Sequence, residues 1–288
     1  MNDSVILKAP AKINLSLDIT GLRDDGYHMV RMLMQTIDLF DIVRVEKKER
    51  GVRLDMGDAL LPKGPSNLAF RAAELVLKEA GIEGGVSIEI EKNIPLSAGL
   101  AGGSTDAAAV LKGVNELYGA GLTIDELCKL GLELGADVPF CVTGGSVLCE
   151  GIGEEMTDLP DLPHCSIVLV KPPQGVSTRQ AYTAFDSLDN PHHPDVDGQI
   201  EALRAGDLSG VCSAASNCLE LVTSPRFPAI SACEKILESH GARLAMMSGS
   251  GPTVFGIFDD RSRAEEAADS LGNVYPEYFI HVGEPYFP

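Results

Sequence analysis

The chain has 288 residues, 44% of them hydrophobic, and a formal net charge of −19. This length suffices for one large or two ordinary domains, and the charge disfavours binding to nucleic acid or to anionic membranes. No apolar run approaches the ~18–20 residues of a membrane span, and the N-terminal residues lack the pattern of a signal peptide. We therefore expect a cytoplasmic protein that binds no nucleic acid and no membrane. The seven cysteines form no C-x-x-C pair, which indicates buried, reduced thiols rather than disulfides or a metal site.

The first part of the chain alternates between apolar and polar residues. In Lys12–Ile19 the period of two predicts a strand with one polar face. That face carries Lys12, Asn14, Ser16 and Asp18. Further strands are predicted over Met29–Asp38, Ile42–Lys47 and Val52–Met56. The polar turn after the first strand ends in Tyr27 and His28, whose rings either contact a planar ligand or pack in the structure.

A run of small residues follows the strand predicted for Val86–Glu91. It occupies Pro95–Gly103 and passes at Ser104 into a helical pattern that stops at Gly119. A junction of this kind presents N–H groups without intrahelical partners at the positive end of the helix dipole. The glycine loop, Pro95–Thr105, therefore predicts an anion site suited to phosphate, with a flexible connection as the alternative.

The segment after this helix contains a carboxylate in an apolar turn. Thr123 and Glu126 have the spacing of a capping box, and the helix that they begin ends before Asp137. Phe140–Thr143 and Ser146–Cys149 are predicted to form a hairpin. Asp137 is either a partly desolvated functional carboxylate or a cap of the turn.

A proline-rich connection near residue 160 indicates a domain boundary, which would divide the chain into 1–160 and 161–288. Strands and helices alternate in the second part, which indicates a small α+β sandwich. Helices are predicted there over residues 199–204, 217–222 and 226–240, and a glycine-containing turn lies at Ser248–Gly251.

The glycine loop matches none of three common nucleotide signatures. Gly103 is followed by Ser104 rather than by the lysine of a Walker A loop. The loop also lacks the G-x-G-x-x-G of dinucleotide-binding domains and the motifs of protein kinases. A cation for the phosphate must therefore come from another part of the chain.

Several segments together resemble the GHMP kinase superfamily of small-molecule kinases. Pro95–Ala107 is similar to its second motif. The other segments are similar to one member, whose substrate is a methylerythritol carrying a cytidine diphosphate: Pro10–Leu15, Gly21–His28, Ala136–Phe140 and Met247–Gly251. The resemblance implies an α+β, two-domain chain. Its N-terminal domain would be like ribosomal protein S5 domain 2, and its C-terminal domain would be ferredoxin-like.

The resemblance also implies the reaction, in which ATP with Mg²⁺ phosphorylates a hydroxyl of that substrate. Lys12 and Asp137 would be catalytic, with Asp137 as the base or orienting group and Lys12 as the cation that pairs with it. The ATP-binding residues would be Pro95, Leu96, Ser97, Ala98, Gly99, Leu100, Ala101, Gly102, Gly103, Ser104 and Thr105, with Ser104 or Thr105 near Mg²⁺. The substrate-binding residues would be Asn14, Tyr27, His28, Thr178 and Phe185, with Tyr182 beside them and Ser248–Gly251 completing the site.

The glycine motif departs from that of many relatives at Ser97, Ala98 and Ala101, where they carry glycine. Serine and alanine still permit close approach to a ligand if their φ is negative. One alternative function is that of another GHMP kinase, acting on mevalonate, homoserine or a sugar, and a second is that of a non-catalytic nucleotide-binding regulator. The Tyr27–His28 turn favours the cytidine-bearing substrate, and the presence of Lys12 with Asp137 favours an enzyme. A monomer or a homodimer is equally compatible with the sequence.

Overall fold

The computed structural model describes residues 3–57, 61–189 and 191–288. The described residues form ten strands and ten helices. The strands are β1 (Ser4–Leu22), β2 (His28–Lys48), β3 (Gly51–Asp55), β4 (Gly85–Glu91), β5 (Ser146–Glu150), β6 (Glu155–Asp158), β7 (Ser166–Lys171), β8 (Leu244–Met247), β9 (Val254–Phe258) and β10 (Phe279–Gly283). The helices are α1 (Leu68–Glu79), α2 (Gly102–Tyr118), α3 (Ile124–Leu132), α4 (Val138–Thr143), α5 (Thr178–Phe185), α6 (Val196–Arg204), α7 (Leu208–Ala214), α8 (Glu220–Thr223), α9 (Ala229–Ser239) and α10 (Arg261–Val274). Within the described ranges, no helix is both long and apolar enough to cross a bilayer.

The strands form two sheets, and β2 is the central strand of the larger one, in the order β3-β4-β2-β5-β6, with β1 also paired to β2. The second half of β2 pairs antiparallel with β4, so that Ile42 lies opposite Glu91. The first half pairs antiparallel with β5, with Met32 opposite Cys149. The smaller sheet has the order β10-β7-β9-β8, and its pairings are antiparallel.

The chain forms two compact units, each built from several segments. Unit 1 consists of the described residues within Met1–Ala11, Leu39–Ile94 and Ala101–Gly144. Unit 2 consists of those within Lys12–Asp38, Pro95–Leu100 and Gly145–Pro288. In unit 1, α1 packs on α2 and β3, and α2 also packs on α4. In unit 2, α9 and α10 pack on the smaller sheet.

The buried faces follow from residue size and polarity. The first half of α2 is rich in alanine, with Ala107, Ala108 and Ala109 all buried. Gly113 on the same helix lies so close to Val45 that an added Cβ would be 3.0 Å from its Cγ2. Small residues therefore allow α2 to approach the sheet of unit 1 closely. All seven cysteines are free, and all but Cys128 are buried, which confirms the prediction of reduced thiols.

Three predicted elements need correction. Phe140–Thr143 is not a strand, because Val138–Thr143 forms the short helix α4 with Pro139 in its first turn, a position that proline favours. The predicted strands Met29–Asp38 and Ile42–Lys47 are parts of one continuous strand, β2. The helix α7 had no counterpart in the prediction, although α6, α8 and α9 did.

The polar face of β1 is buried rather than solvated. Lys12, Asn14 and Ser16 are 4%, 0% and 0% exposed. Within unit 2, the segment around Ser216 contacts this face, because Ser216 N–H donates to Ser16 Oγ at 3.4 Å. The polar residues of β1 are thus candidates for function, since burying such groups is costly unless they are bonded.

Candidate active site

The glycine loop joins β4 to α2 with several residues in the left-handed backbone region. Ser97, Gly99 and Ala101 have φ of +50°, +77° and +58°. The condition of negative φ is therefore not met at Ser97 and Ala101. Ala101 is the N-cap of α2, which begins at Gly102, two residues earlier than predicted, and its side chain makes no capping hydrogen bond. The first-turn N–H groups thus lack a side-chain cap, as an anion site at a helix N-terminus requires.

In unit 2, Lys12 lies beside Leu100, the last residue of the glycine loop that belongs to this unit. The Lys12 backbone N–H donates to the carbonyl oxygen of Leu100 at 3.2 Å. The Lys12 Nζ donates to Asn14 Oδ1 at 2.6 Å, and Asn14 Nδ2 donates to Met32 Sδ at 3.4 Å. The Lys12 backbone thus lies beside the glycine loop within unit 2, and the role of its ammonium group as the cation for phosphate stays a prediction.

The turn Ser248–Gly251 holds the same loop from another side, also within unit 2. Ser248 Oγ donates to the carbonyl oxygen of Gly99 at 3.1 Å. A Cβ added at Gly99 would lie 2.3 Å from the carbonyl oxygen of Ser248, so only glycine fits there without movement. A Cβ added at Gly249 would lie 3.1 Å from the carbonyl oxygen of Gly99 and 3.4 Å from Asn14 Oδ1. Asn14, Gly99 of the glycine loop and Gly249 of the turn consequently lie close together.

Of the residues predicted to bind substrate, Thr178, Tyr182 and Phe185 lie on α5, and His28 lies beside it. His28 Nε2 lies 2.7 Å from Asp186 Oδ1, and the rings of His28 and Tyr182 have centroids 4.8 Å apart. Tyr27 is 59% exposed, whereas Phe185 is buried, with only 7% of its surface exposed.

The start of α5 connects this group to the loop. Thr178 Oγ1 lies 3.0 Å from Ser250 Oγ, in the turn that holds Gly99. A Cβ added at Gly175, just before α5, would lie 3.1 Å from Ser97 Cβ. Within unit 2, the start of α5 thus contacts the turn that holds Gly99, and the residue Gly175 before it packs against Ser97 of the glycine loop.

Unit 1 contains two other predicted site elements, the first turn of α2 and Asp137. Asp137 is half-buried at the N-cap of α4. Ser104 is partly exposed, whereas the hydroxyl of Thr105 is buried and has no hydrogen-bond partner among the described residues. Because Lys12 belongs to unit 2 and Asp137 to unit 1, the pairing of these two residues stays a prediction.

Comparison of the sequence with known proteins shows the family of the chain. The model of the GHMP kinases N-terminal domain matches residues 67–145, and that of the GHMP kinases C-terminal domain matches residues 199–277. A 4-diphosphocytidyl-2-C-methyl-D-erythritol kinase of Clostridium botulinum (strain Alaska E43 / Type E3) is 48% identical over 95% of this chain and 98% of its own length. The chain belongs to the GHMP kinases. It is therefore an ATP-dependent small-molecule kinase, and the expected α+β fold of that family is confirmed.

Solved structures of GHMP kinases have the same fold as this chain. The crystal structure of a 4-(cytidine 5′-diphospho)-2C-methyl-D-erythritol kinase superimposes with a TM-score of 0.84 at 35% identity, covering 99% of this chain and 100% of that chain. A homoserine kinase from Cytophaga hutchinsonii superimposes with a TM-score of 0.82 at 23% identity, covering 100% of this chain and 96% of that chain. The second likeness concerns the fold alone, so the fold does not distinguish the substrates within the GHMP kinases.

Two groups of residues were missing from the sequence prediction. Asp186 is the partner of His28, and its only sequence signal is its position directly after Phe185. The second group is a buried ion cluster in unit 1, formed by Asp41, Lys92 and Asp106. Its members come from β2, from the residue after β4 and from α2, so no local pattern links them.

Proposed function

We propose that this GHMP kinase uses ATP to phosphorylate a hydroxyl of 4-(cytidine 5′-diphospho)-2-C-methyl-D-erythritol, in the non-mevalonate route to isoprenoid precursors. Its relatives at 47–48% identity carry the name of this kinase. Within the family, one observation carries the choice of substrate: the contact of His28 with Asp186 and Tyr182.

The His28 side chain is suited to the edge of a cytosine ring. An ionised carboxylate only accepts hydrogen bonds, so Asp186 requires that Nε2 of His28 carries a proton and donates it. In the neutral imidazole, Nδ1 is then an acceptor, which matches the exocyclic amino group that cytosine donates. Tyr27, with its ring largely exposed, would stack on the base.

The remaining unit 2 residues would hold the other parts of the two substrates. Residues of the glycine loop would bind the ATP phosphates through backbone N–H groups, and Lys12 would neutralise charge on the transferred phosphoryl group. Asn14, fixed by its bond to Lys12, would orient a substrate hydroxyl. Thr178 would lie at the substrate side through its contact with Ser250, whereas the buried Phe185 would support the base site from beneath.

Asp137 would accept the proton of the attacking hydroxyl or orient that hydroxyl towards the γ-phosphate. This role, and its pairing with Lys12, rest on the motif Ala136–Phe140, which matches the family pattern. Phosphoryl transfer needs mainly positioning and charge neutralisation, so a base, a cation and a phosphate-binding loop supply what the reaction requires.

Magnesium fits the hydroxyl groups at the start of α2. Mg²⁺ prefers hard oxygen ligands and keeps several waters while it bridges substrate phosphates. The Ser104 hydroxyl is partly exposed and so is accessible, whereas the unpartnered Thr105 hydroxyl is buried. We therefore assign Ser104, rather than Thr105, to Mg²⁺, which would neutralise charge on the β- and γ-phosphates.

The proposal also covers the domains of the enzyme, its location, its oligomeric state and its partners. Domains 1–160 and 161–288 would carry the ATP side and the substrate side, and the two family models match on either side of residue 160. The enzyme would act in the cytoplasm, as a monomer or a homodimer. Its net charge of −19 supports the absence of nucleic acid from its partners.

The test is an ADP-release assay with purified protein, ATP and Mg²⁺. We expect turnover with the cytidine-bearing substrate and none with mevalonate, homoserine or galactose, and mass spectrometry should detect the phosphorylated product. Turnover of one of the other three substrates with none of the cytidine-bearing one would refute the choice of substrate. ATP binding without turnover of any of them would favour the non-catalytic regulator.

A further inference from the structure

Both ends of the glycine loop are attached to one buried ion cluster in unit 1. The residue after β4, Lys92, donates from Nζ to Asp41 Oδ2 on β2 and to Asp106 Oδ2 on α2, the latter at 2.6 Å. The side chains of Asp41 and Asp106 are 0% and 3% exposed, and that of Lys92 is 11% exposed. Charge-assisted hydrogen bonds in such a low-dielectric position are stronger than those at the surface.

The cluster holds the chain that enters the loop. Asp41 Oδ1 accepts from the backbone N–H groups of Asn93 and Ile94, at 2.6 and 2.8 Å. Asn93 Nδ2 also donates to the carbonyl oxygen of Phe40 at 3.0 Å. The last two residues before Pro95 are therefore fixed to β2 by one carboxylate and one carbonyl oxygen.

The cluster also holds the chain that leaves the loop. Asp106 lies in the first turns of α2, a few residues after the predicted phosphate-binding N–H groups. A Cβ added at Gly102 would lie 3.1 Å from Ile94 Cγ2 and 3.5 Å from Lys92 Nζ. The first residue of α2 thus packs directly on the entering chain and on the lysine of the cluster.

The charges of the cluster do not balance when both carboxyl groups are ionised. Burial raises the pKa of Asp106 to about 7, the charge of Asp41 adds to this effect, and the Lys92 ammonium opposes it. Asp106 Oδ1 is buried and has no hydrogen-bond partner among the described residues. Lys92 is the ammonium group that both buried carboxyl groups contact, so the cluster depends on it for charge compensation.

We propose that Lys92, held between Asp41 and Asp106, is a positioning residue that sets the ATP-binding conformation of the glycine loop. The inference rests on the proposed role of this loop in ATP binding. Lys92 acts through the backbone of residues 93–94 and the first turn of α2. Its loss therefore weakens the binding of ATP and leaves the phosphoryl-transfer step at saturating ATP nearly unchanged.

The first experiment compares Lys92→Met with Lys48→Met, which removes an exposed lysine paired, among the described residues, only with Glu46 on the same strand. Titration calorimetry with a non-hydrolysable ATP analogue gives Kd, and steady-state kinetics give KM for ATP and kcat. Because a hydrogen bond to a charged group is lost, we expect Lys92→Met to raise Kd and KM about ten- to a hundredfold, while kcat changes by less than about threefold. Lys48→Met should behave as the wild type does.

Two further variants keep the test decisive if Lys92→Met does not fold. Lys92→Arg retains the charge and should restore most of the affinity. Asp106→Asn removes one of the two carboxylates that Lys92 contacts. It should also raise Kd for the analogue, but by less than Lys92→Met does, because Asp41 still binds Lys92 and the N–H groups of residues 93–94.

Folded Lys92→Met with the Kd of Lys48→Met would overturn the proposal, and so would Asp106→Asn with the Kd of the wild type. Failure of the proposed function has a different signature. In that case the wild type binds the ATP analogue but does not phosphorylate the cytidine-bearing substrate, and the comparison of Kd among the variants still decides the role of Lys92. A wild type that binds no ATP analogue overturns both.

Discussion

Substitution of Gly99 tests the geometry of the glycine loop. Gly99 has a φ of +77°, which L-residues rarely adopt, and its Cα hydrogens face the carbonyl oxygen of Ser248. In Gly99→Ala the new Cβ would lie 2.3 Å from that oxygen, well inside contact distance. The obstacle is a backbone atom, which cannot rotate away as a flexible side chain can.

Two free-energy costs of Gly99→Ala therefore add, one for the backbone conformation and one for the contact. A left-handed conformation costs an alanine about 1–2 kcal/mol, and forcing an extra group into packed structure costs about 1–3 kcal/mol. Their sum, about 2–5 kcal/mol, is a large part of the ~5–15 kcal/mol by which proteins are stable. The variant can avoid part of this cost only by moving the loop away from Ser248, which would lower ATP affinity.

Urea unfolding followed by circular dichroism gives the free energy of unfolding of each variant. Gly103→Ala is the matched control for stability, because it lies in the same loop but no atom is within 4 Å of its added Cβ. Since alanine is favoured over glycine in a helix by about 0.5–1 kcal/mol, this control should be as stable as the wild type or more stable. Equal unfolding free energies for the two variants would refute the contact between the loop and Ser248.

Three further predictions concern the reaction and the loop. Lys12→Met and Asp137→Asn should each lower kcat by about a hundredfold or more, while Kd for an ATP analogue changes little. Asp186→Ala should raise KM for the cytidine-bearing substrate about tenfold and leave KM for ATP unchanged, because the His28 ring loses the acceptor that orients it. Ser97→Gly should raise the free energy of unfolding by about 0.5–1 kcal/mol, since relief of the left-handed strain exceeds the added chain entropy.

Each of these predictions has an outcome that contradicts it. Full turnover by Asp137→Asn would exclude both a base and an orienting role for that carboxylate. An equal rise of KM for both substrates in Asp186→Ala would mean a general loss of structure rather than loss of cytosine recognition. A lower free energy of unfolding for Ser97→Gly would show that the serine side chain stabilises the loop more than its φ destabilises it.

Local chemistry made much of this molecule predictable. The capping box at Thr123 is present as predicted, because it involves only residues of one helical turn. The strand, glycine loop and helix around Pro95–Thr105 were also predicted, since small residues and periodicity act over short distances. The helix α4 was not predicted, because the apolar and β-branched residues of Val138–Thr143 favour a strand when packing is ignored.

The sequence by itself determined the family motifs and predicted which residues carry the chemistry: a glycine loop without its own lysine, a lysine on the first strand, and two rings at the end of a turn. Only the tertiary structure decided what holds them. Gly99 meets Ser248, His28 meets Asp186, and Asp41 meets Lys92 through contacts between segments far apart in the chain. Such contacts leave no local pattern, because a carboxylate or a turn looks the same in a sequence whether it faces solvent or a partner from a distant segment. The physical reason is that burial and charge pairing depend on which elements pack together, and this is a property of the whole fold.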